Sequence, residues 1–215
     1  MILGDIPELD DCTTIATAPD GLCAILQPET AAAVWQRAPL ARFQNWIDAL
    51  PPERLPKARM ILRSDAVCDA LINVAEQYGT PCCAERNLLI EDASALASIF
   101  AKIMDSDYLR LRLDVVRANA HHNFNINSVK ARLICTYRGT GTQYGISEDG
   151  YDPERIVTVA TGSPIILRGA RWPEIPLSDL LHRSPPMTET AKARLVLVLD
   201  PVDNPEEEAK AAHIQ

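Results

Sequence analysis

The sequence predicts an α+β fold, in which a mainly helical N-terminal segment packs on a β-sandwich or barrel. Up to about residue 107, apolar residues recur at the three- and four-residue spacing of helices. From Tyr108 onward the spacing shortens to two, which is typical of strands with one polar face. Turns rich in Gly and Pro separate these later runs, as in antiparallel sandwiches. We therefore expect one globular unit, with a helical segment at 1–107, a sandwich at 108–200 and an acidic tail at 201–215.

The composition argues against two classes of function. The 215-residue chain has a formal net charge of −8, whereas nucleic-acid binding needs a clustered basic surface. Its longest apolar stretch, Leu195–Leu199, is far too short to span a bilayer. The first five residues lack a basic start, so no signal peptide is expected. We expect a cytoplasmic protein that binds neither nucleic acid nor membranes.

The cysteines give no sign of a metal site or of disulfide bonds. None of the six is spaced as Cys-x-x-Cys, and Cys82 and Cys83 are adjacent. Cys68 and Cys135 have apolar neighbours, so we interpret them as small core residues. Neither a structural zinc site nor a disulfide framework is expected.

The first elements are predicted from apolar spacing and from prolines. Two short strands are expected, at Thr14–Ala16 and Leu22–Leu26. A helix is expected over Glu29–Arg37. A second helix is expected between Pro39 and the Pro51-Pro52 pair, which would end it.

Two further helices complete the N-terminal segment. Ser64 is assigned as the N-cap of the third, and Gly79 sits where a C-terminal glycine belongs. Asp92 or Ser94 is expected to cap the fourth, whose buried stripe would be Leu96, Ile99, Phe100 and Ile103. Residues 29–105 are therefore predicted to be mostly helical.

The remainder is predicted to be strands and their connections. The expected strands are Tyr108–Val116, Val129–Arg138, Arg155–Ala160, Ile165–Arg168 and Ala193–Leu199. A turn is expected at Gly139–Thr142 and a longer connection at Pro173–Pro186. Asp200–Gln215, which contains three consecutive glutamates, is expected to be solvated.

Two polar residues just before the predicted strand Val129–Arg138 would lie on one face if that strand began earlier. Asn125 and Asn127 are two positions apart, so they share a face if the strand begins early. The same parity continues through Val129, Ala131, Leu133, Cys135 and Tyr137, and we interpret that face as the barrel interior. The alternative is that both asparagines are only turn residues, whose side chains bond nearby backbone.

Arg194 shares a strand face with Val196 and Val198. An arginine on an otherwise apolar face must find an anion, because an unpaired buried charge is costly. Two explanations are open. Arg194 forms a structural ion pair, with Asp114 or Glu189 as the partner, or it binds an acidic ligand.

Several motifs resemble a known family. They lie in the segments His121–Leu133, Cys135–Thr142, Thr161–Gly169 and His182–Pro201. On these motifs the chain resembles an uncharacterised bacterial family, domain of unknown function 1826 (DUF1826). That family is itself similar to the double-stranded β-helix (cupin-like) oxygenases that use Fe(II) and 2-oxoglutarate. The resemblance implies a jelly-roll, or double-stranded β-helix, sandwich for the C-terminal half.

The resemblance also assigns roles by position. In such oxygenases two His and a carboxylate bind the metal, and a later Arg binds the far carboxylate of 2-oxoglutarate. The corresponding residues here are Asn125, Asn127, His182 and Arg194. Asn amides are poor ligands for a divalent first-row metal, since they supply neither an imidazole nitrogen nor a negative charge. We expect no cofactor; the alternative is Fe(II) or Zn(II) with 2-oxoglutarate.

Three functions are consistent with this pattern. The first is a degenerate oxygenase-like jelly roll that binds a small anionic ligand without metal turnover, through Asn125, Asn127, His182, Arg194 and Tyr137. The second is a metal-dependent enzyme in which His121 or His122 binds Fe or Zn together with His182. The third is a structural or partner-binding protein with a filled barrel.

Overall fold

The protein, seen here as a computed structural model, is built on two β-sheets, and the structure describes residues 12–117, 123–147, 151–173, 179–186 and 193–206. The strands in chain order are β1 (Thr13–Ala16), β2 (Ala32–Trp35), β3 (Ala58–Arg63), β4 (Tyr108–Val116), β5 (Ala131–Arg138), β6 (Gln143–Ile146), β7 (Val157–Thr158), β8 (Pro164–Arg168), β9 (Leu180–Arg183) and β10 (Arg194–Val202). Within these residues, the large sheet has the order β1-β2-β8-β5-β10-β4-β3, and the small sheet β7-β6-β9.

Helices cover one face of the large sheet. The α-helices are α1 (Ala41–Ala49), α2 (Val67–Gln77) and α3 (Ala84–Met104), and short 3-10 helices lie at Pro19–Leu26, Pro52–Arg54 and Ser64–Ala66. Buried side chains of the α-helices share one hydrophobic cluster with residues of β4, β5 and β10. None of the helices described here is both long and apolar enough to cross a membrane.

The small sheet covers the opposite face of the large one. Leu195 and Leu197 of β10 pack in the cluster on the helix side. Val196 and Val198 point the other way, into a second cluster that includes Tyr144 of β6. Both faces of β10 are therefore covered, as its continuous apolar run predicts, and the α+β sandwich is confirmed.

The predicted orientation of β5 is wrong. Ala131, Leu133 and Cys135 pack against the helices, whereas Ile134 faces the space between the sheets. Residues 126–130 are not part of a strand, and they include a run of bends. Strand parity therefore does not carry from Asn127 into β5, because alternation holds only along an unbroken strand.

Several N-terminal predictions are also wrong. Leu22–Leu26 belongs to a 3-10 helix, and the segment predicted as the helix Glu29–Arg37 contains β2. Strand β2 pairs with β1 on one side and β8 on the other, so long-range hydrogen bonds decide its conformation. Strand β3 was not predicted. Helix α3 begins at Ala84, well before Asp92, and its N-cap position makes no side-chain capping hydrogen bond.

Other elements match their predictions closely. Helices α1 and α2 and strands β1, β4, β5 and β8 lie where they were expected, and Gly79 after α2 has the positive φ of +62° that favours glycine. Strands β6 and β9 were not predicted. Strand β10 continues to Val202, so Asp200 is fully buried rather than solvated.

Candidate functional site

A cavity of about 310 Å³ lies between the large sheet and β9. Its apolar wall is formed by Ile134 of β5 with Val196 and Val198 of β10. The lining also carries four arginines, together with carboxylate, amide and imidazole groups. A barrel filled by side chains, as the third function requires, would leave no such space.

The cavity brings together four of the predicted site residues, namely Asn125, Asn127, His182 and Arg194. A backbone bridge fixes two of them. The amide nitrogen of Asn125 donates to the carbonyl of His182, and that of His182 donates to the carbonyl of Asn125, both at 3.0 Å. The bridge ties the segment before β5 to β9, so residues far apart in sequence line one wall.

The other predicted site residues are not part of this cavity. Tyr137 lies on the helix side of β5, where its hydroxyl donates to Asp92 at 2.8 Å. Arg37 also binds this carboxylate with two nitrogens, at 2.6 and 2.7 Å. Burial raises the pKa of Tyr137 well above its usual value. These groups border a separate cavity of about 200 Å³. His121 and His122 lie outside the described residues.

A chain of hydrogen bonds crosses one end of the larger cavity. Nε and Nη2 of Arg132 donate to the two carboxylate oxygens of Asp200 at 2.6 and 2.8 Å. Nη1 of Arg132 donates to Oδ1 of Asn127. The other side-chain atom of Asn127, Nδ2, lies 2.7 Å from Nε2 of His182. Asp200, Arg132, Asn127 and His182 are thus connected in series.

This series of hydrogen bonds determines which nitrogen of His182 holds its proton. Arg132 offers only donors, so the atom of Asn127 that faces it must be the amide oxygen. The amide nitrogen of Asn127 then faces His182 and donates to Nε2. Nε2 is therefore the acceptor, and the proton is on Nδ1. The imidazole lone pair that would bind a metal through Nε2 is already used by the amide.

His182 is neutral at physiological pH. The residue is 7% exposed. Burial, assisted by the positive charge of Arg132, lowers its pKa to about 4, although Asp200 acts in the opposite direction. His182 therefore adds no positive charge to the cavity.

Arg194 is a buried cation that faces the cavity. The residue is 3% exposed, and its Nε donates to the carbonyl of Thr140 at 2.8 Å. No carboxylate of the described residues forms an ion pair with it, Asp114 included; the other predicted partner, Glu189, lies outside those residues. Burial lowers the pKa of Arg194 to about 10, which leaves the guanidinium charged at neutral pH.

The sequence prediction missed four residues at this site, an aspartate and the three arginines around it. Asp200 is surrounded by Arg132, at hydrogen-bond distance, and by Arg110 and Arg112, each with a nitrogen 3.8 Å from its carboxylate. Their signal in the sequence is a charged residue at every second position of β4, from Arg110 to Asp114, and a single arginine near the start of β5, with an acid at the end of an apolar strand. Only the pairing of β10 with both strands reveals that these charges converge.

The residues at the metal-ligand positions do not fit Fe(II). The Asn127 oxygen is occupied by Arg132, and the His182 lone pair is occupied by Asn127. Asn125 donates its amide nitrogen to the Asn123 carbonyl at 3.2 Å and has no negative charge. A guanidinium beside these groups repels a divalent cation. The described residues hold no group of three His, Cys, Asp or Glu arranged to bind a metal.

The fold is that of the double-stranded β-helix oxygenases. The dioxygenase for auxin oxidation 1 from Arabidopsis thaliana, solved in complex with 2-oxoglutarate, superposes with a TM-score of 0.54 at 10% identity, covering 90% of this chain and 94% of that one. The rice dioxygenase for auxin oxidation has a TM-score of 0.49 at 10% identity, with coverages of 91% and 83%. A Pseudomonas putida prolyl-4-hydroxylase has a TM-score of 0.42 at 12% identity, with coverages of 94% and 99%.

The family is identified from the sequence. The model of the family described as "Protein of unknown function (DUF1826)" matches residues 16–200, so the chain belongs to this family. The sequence matches none of the curated proteins. The resemblance noted in the motifs is thereby confirmed.

Proposed function

We propose that this protein binds a small carboxylate in the 310 Å³ cavity and does not carry out metal-dependent oxygenation. The observation that carries the proposal is Arg194, a buried guanidinium without a carboxylate partner among the described residues. A buried charge without a counter-ion is costly, and a ligand carboxylate would remove that cost. The planar guanidinium binds a carboxylate through two parallel hydrogen bonds, so the match is geometric as well as electrostatic.

The side chains at the metal-ligand positions are already hydrogen-bonded to one another and to Arg132, which supports the proposal that the protein does not carry out metal-dependent oxygenation. Metal binding would require Asn127 to release both Arg132 and His182. The similar auxin dioxygenase was solved with 2-oxoglutarate, a small dicarboxylate, which makes that molecule the natural first probe. In this protein, the ligand carboxylate would be bound by guanidinium and amide groups alone.

The test is calorimetric titration of the full chain with 2-oxoglutarate in the presence of EDTA. We expect binding by the wild type and at least about tenfold weaker binding by Arg194→Gln, since charge-assisted hydrogen bonds are each worth about 1.5–3 kcal/mol. Arg54→Gln, a change at an exposed arginine, is the matched control and should leave the affinity unchanged. Absence of binding in EDTA, with binding restored by Fe(II), would overturn the proposal.

Metal content provides a second test, which includes the predicted alternative. The protein, purified without a tag, is analysed for metal after incubation with Fe(II), Zn(II) and Ni(II). We expect no stoichiometric metal. Stoichiometric metal that is lost in His182→Ala, and lost again when His121 and His122 are both replaced by Ala, would support the metalloenzyme instead.

The assignment of ligand positions can be checked by restoring them. Asn125→His with Asn127→Asp should raise Fe(II) affinity, but only partly, because the new carboxylate would pair with Arg132. Adding Arg132→Met should raise it further. If neither variant gains affinity for Fe(II) or Zn(II), the assignment of these positions is wrong.

A further inference from the structure

Asp114 places a carboxylate without an ion-pair partner on the wall of the same cavity. It lies on β4 and is half-buried, and no ion pair of the described residues includes it. Arg112 is two positions away on the same strand, but its ion-pair contact is with Asp200, at 3.8 Å. Burial lowers the pKa of Arg112, and Asp114 opposes that shift less than Asp200 does. The carboxylate of Asp114 is therefore available to a ligand.

The strand register places Asp114 beside Arg194 without pairing the two. In the antiparallel pair of β10 and β4, Arg194 is opposite Val116, and Val196 is opposite Asp114. Directly opposite residues share a face of the sheet, so Arg194 and Asp114 both face the cavity, about 7 Å apart along the strands. Burial alone lowers the pKa of Arg194, so Asp114 does not act as its counter-ion.

Arg194 keeps two nitrogens for a ligand. Its Nε donates to the carbonyl of Thr140 at 2.8 Å. Nη1 and Nη2 make no hydrogen bond with the described residues, and neither is among the fully buried atoms of those residues that lack a partner. These two nitrogens form the end of the guanidinium fork, which can bind both oxygens of a carboxylate.

The surface next to this charged pair is apolar. Val196 and Val198 follow Arg194 on the same face of β10, and Ile134 of β5 lies opposite Val198. These side chains have no hydrogen-bonding group, so the part of a ligand that contacts them has to be hydrocarbon. The cavity thus combines a cation, an anion and an apolar wall.

We propose that the ligand is an amino carboxylate, a small zwitterion whose carboxylate is bound by Arg194 and whose ammonium group is bound by Asp114. The inference rests on the proposed function and adds an acidic side chain to the groups that bind the ligand. The hydrocarbon part of the ligand would contact Val196 and Val198. A zwitterion supplies a counter-charge to each side chain, whereas a simple carboxylate would bring a second negative charge near Asp114. Asp114 would thereby select amino acids over the corresponding acids.

The experiment compares each amino acid with the acid that lacks its amino group, by calorimetry on the full chain in EDTA at pH 7. Leucine is paired with 4-methylpentanoate, 4-aminobutyrate with butyrate, and 6-aminohexanoate with hexanoate, so that the distance between the charges varies. We expect at least one amino acid to bind about tenfold or more tightly than its partner. Asp114→Asn should reduce that ratio to about one to two, whereas Asp65→Asn, at an exposed carboxylate, should preserve it.

The outcomes separate the two proposals. If neither 2-oxoglutarate nor any of these acids and amino acids binds the wild type, both proposals are overturned. If no amino acid binds more tightly than its partner, while Arg194→Gln weakens the binding of both, the role of Asp114 is wrong and the carboxylate site remains. Should Asp114→Asn fail to fold, Asp114→Thr is the substitute, because threonine suits a strand. A ratio that stays at about tenfold in the folded variant would overturn the role of Asp114.

Discussion

Replacing Asp200 with Asn should lower the free energy of unfolding by about 3–5 kcal/mol, the cost of removing one partner from a buried ion pair. Asp200 is fully buried, and Arg132 donates to it at 2.6 and 2.8 Å. Arg110 and Arg112 each have a nitrogen 3.8 Å from the same carboxylate. The amide has nearly the same shape, so the loss is one of charge rather than packing. Because three guanidinium groups lose one shared counter-charge, we expect the upper part of the range.

Urea unfolding followed by far-UV circular dichroism measures the change in the free energy of unfolding. In a thermal melt followed by the same signal, the melting temperature should fall by about 6–20 °C, since 1 kcal/mol corresponds to about 2–4 °C for a chain of this size. Asp65→Asn is the control, since that carboxylate is 72% exposed and lies 3.5 Å from Arg63. It should change stability by less than about 0.5 kcal/mol. A loss below about 1 kcal/mol in Asp200→Asn would refute the view that this carboxylate holds the arginines in place.

Three further predictions concern single residues. Because burial lowers the pKa of His182 from 6.5 to about 4, the unfolded chain takes up a proton between these values and the folded chain does not. The contribution of His182 to the free energy of unfolding is fully present above pH 6.5 and falls by about 3 kcal/mol as the pH drops to 4. His182→Gln should remove this part of the pH dependence. Parallel curves of unfolding free energy against pH for the two proteins would contradict the prediction. Burial raises the pKa of Cys135 to about 12, so at pH 8 iodoacetamide should modify exposed Cys23 but modify Cys135 only after unfolding, as peptide mass spectrometry can show. Gly141→Ala should lower the melting temperature, because a Cβ there would lie 1.8 Å from the Val159 carbonyl oxygen; an unchanged melting temperature would show that the turn adapts.

Elements with strong local signals were predictable from the sequence. Strand β4 alternates from Tyr108 to Leu113, and its predicted and observed bounds are identical. Helix α2 has an apolar stripe and a following glycine with positive φ. Strand β2 has no comparable signal, since a run of Ala and Val suits either conformation. Its pairing with β8, more than 100 residues later in the chain, makes this segment a strand rather than a helix.

The site was predictable only in part, for the same reason. The motif positions of Asn125, Asn127, His182 and Arg194 identified four residues that do line one cavity. Their functional roles stay predictions. Arg132 was missed because parity was extended through residues 126–130, where the strand is absent. Asp200 was missed because an acid near the end of an acidic chain gives no sign that β10 continues past it.

The separation of the main core from the cavity has a consequence for how such a protein diverges. The larger hydrophobic cluster lies between the helices and the far face of the large sheet, and Asn125 is exposed on the other side. Exchange of a residue at this position therefore removes little buried apolar surface, and selection for folding places little constraint on it. A lineage can lose a metal ligand here, or acquire a new ligand preference, while the scaffold stays recognisable. Membership of this fold therefore does not assign an activity, and the side chains in the cavity have to be compared position by position before one is assigned to any member.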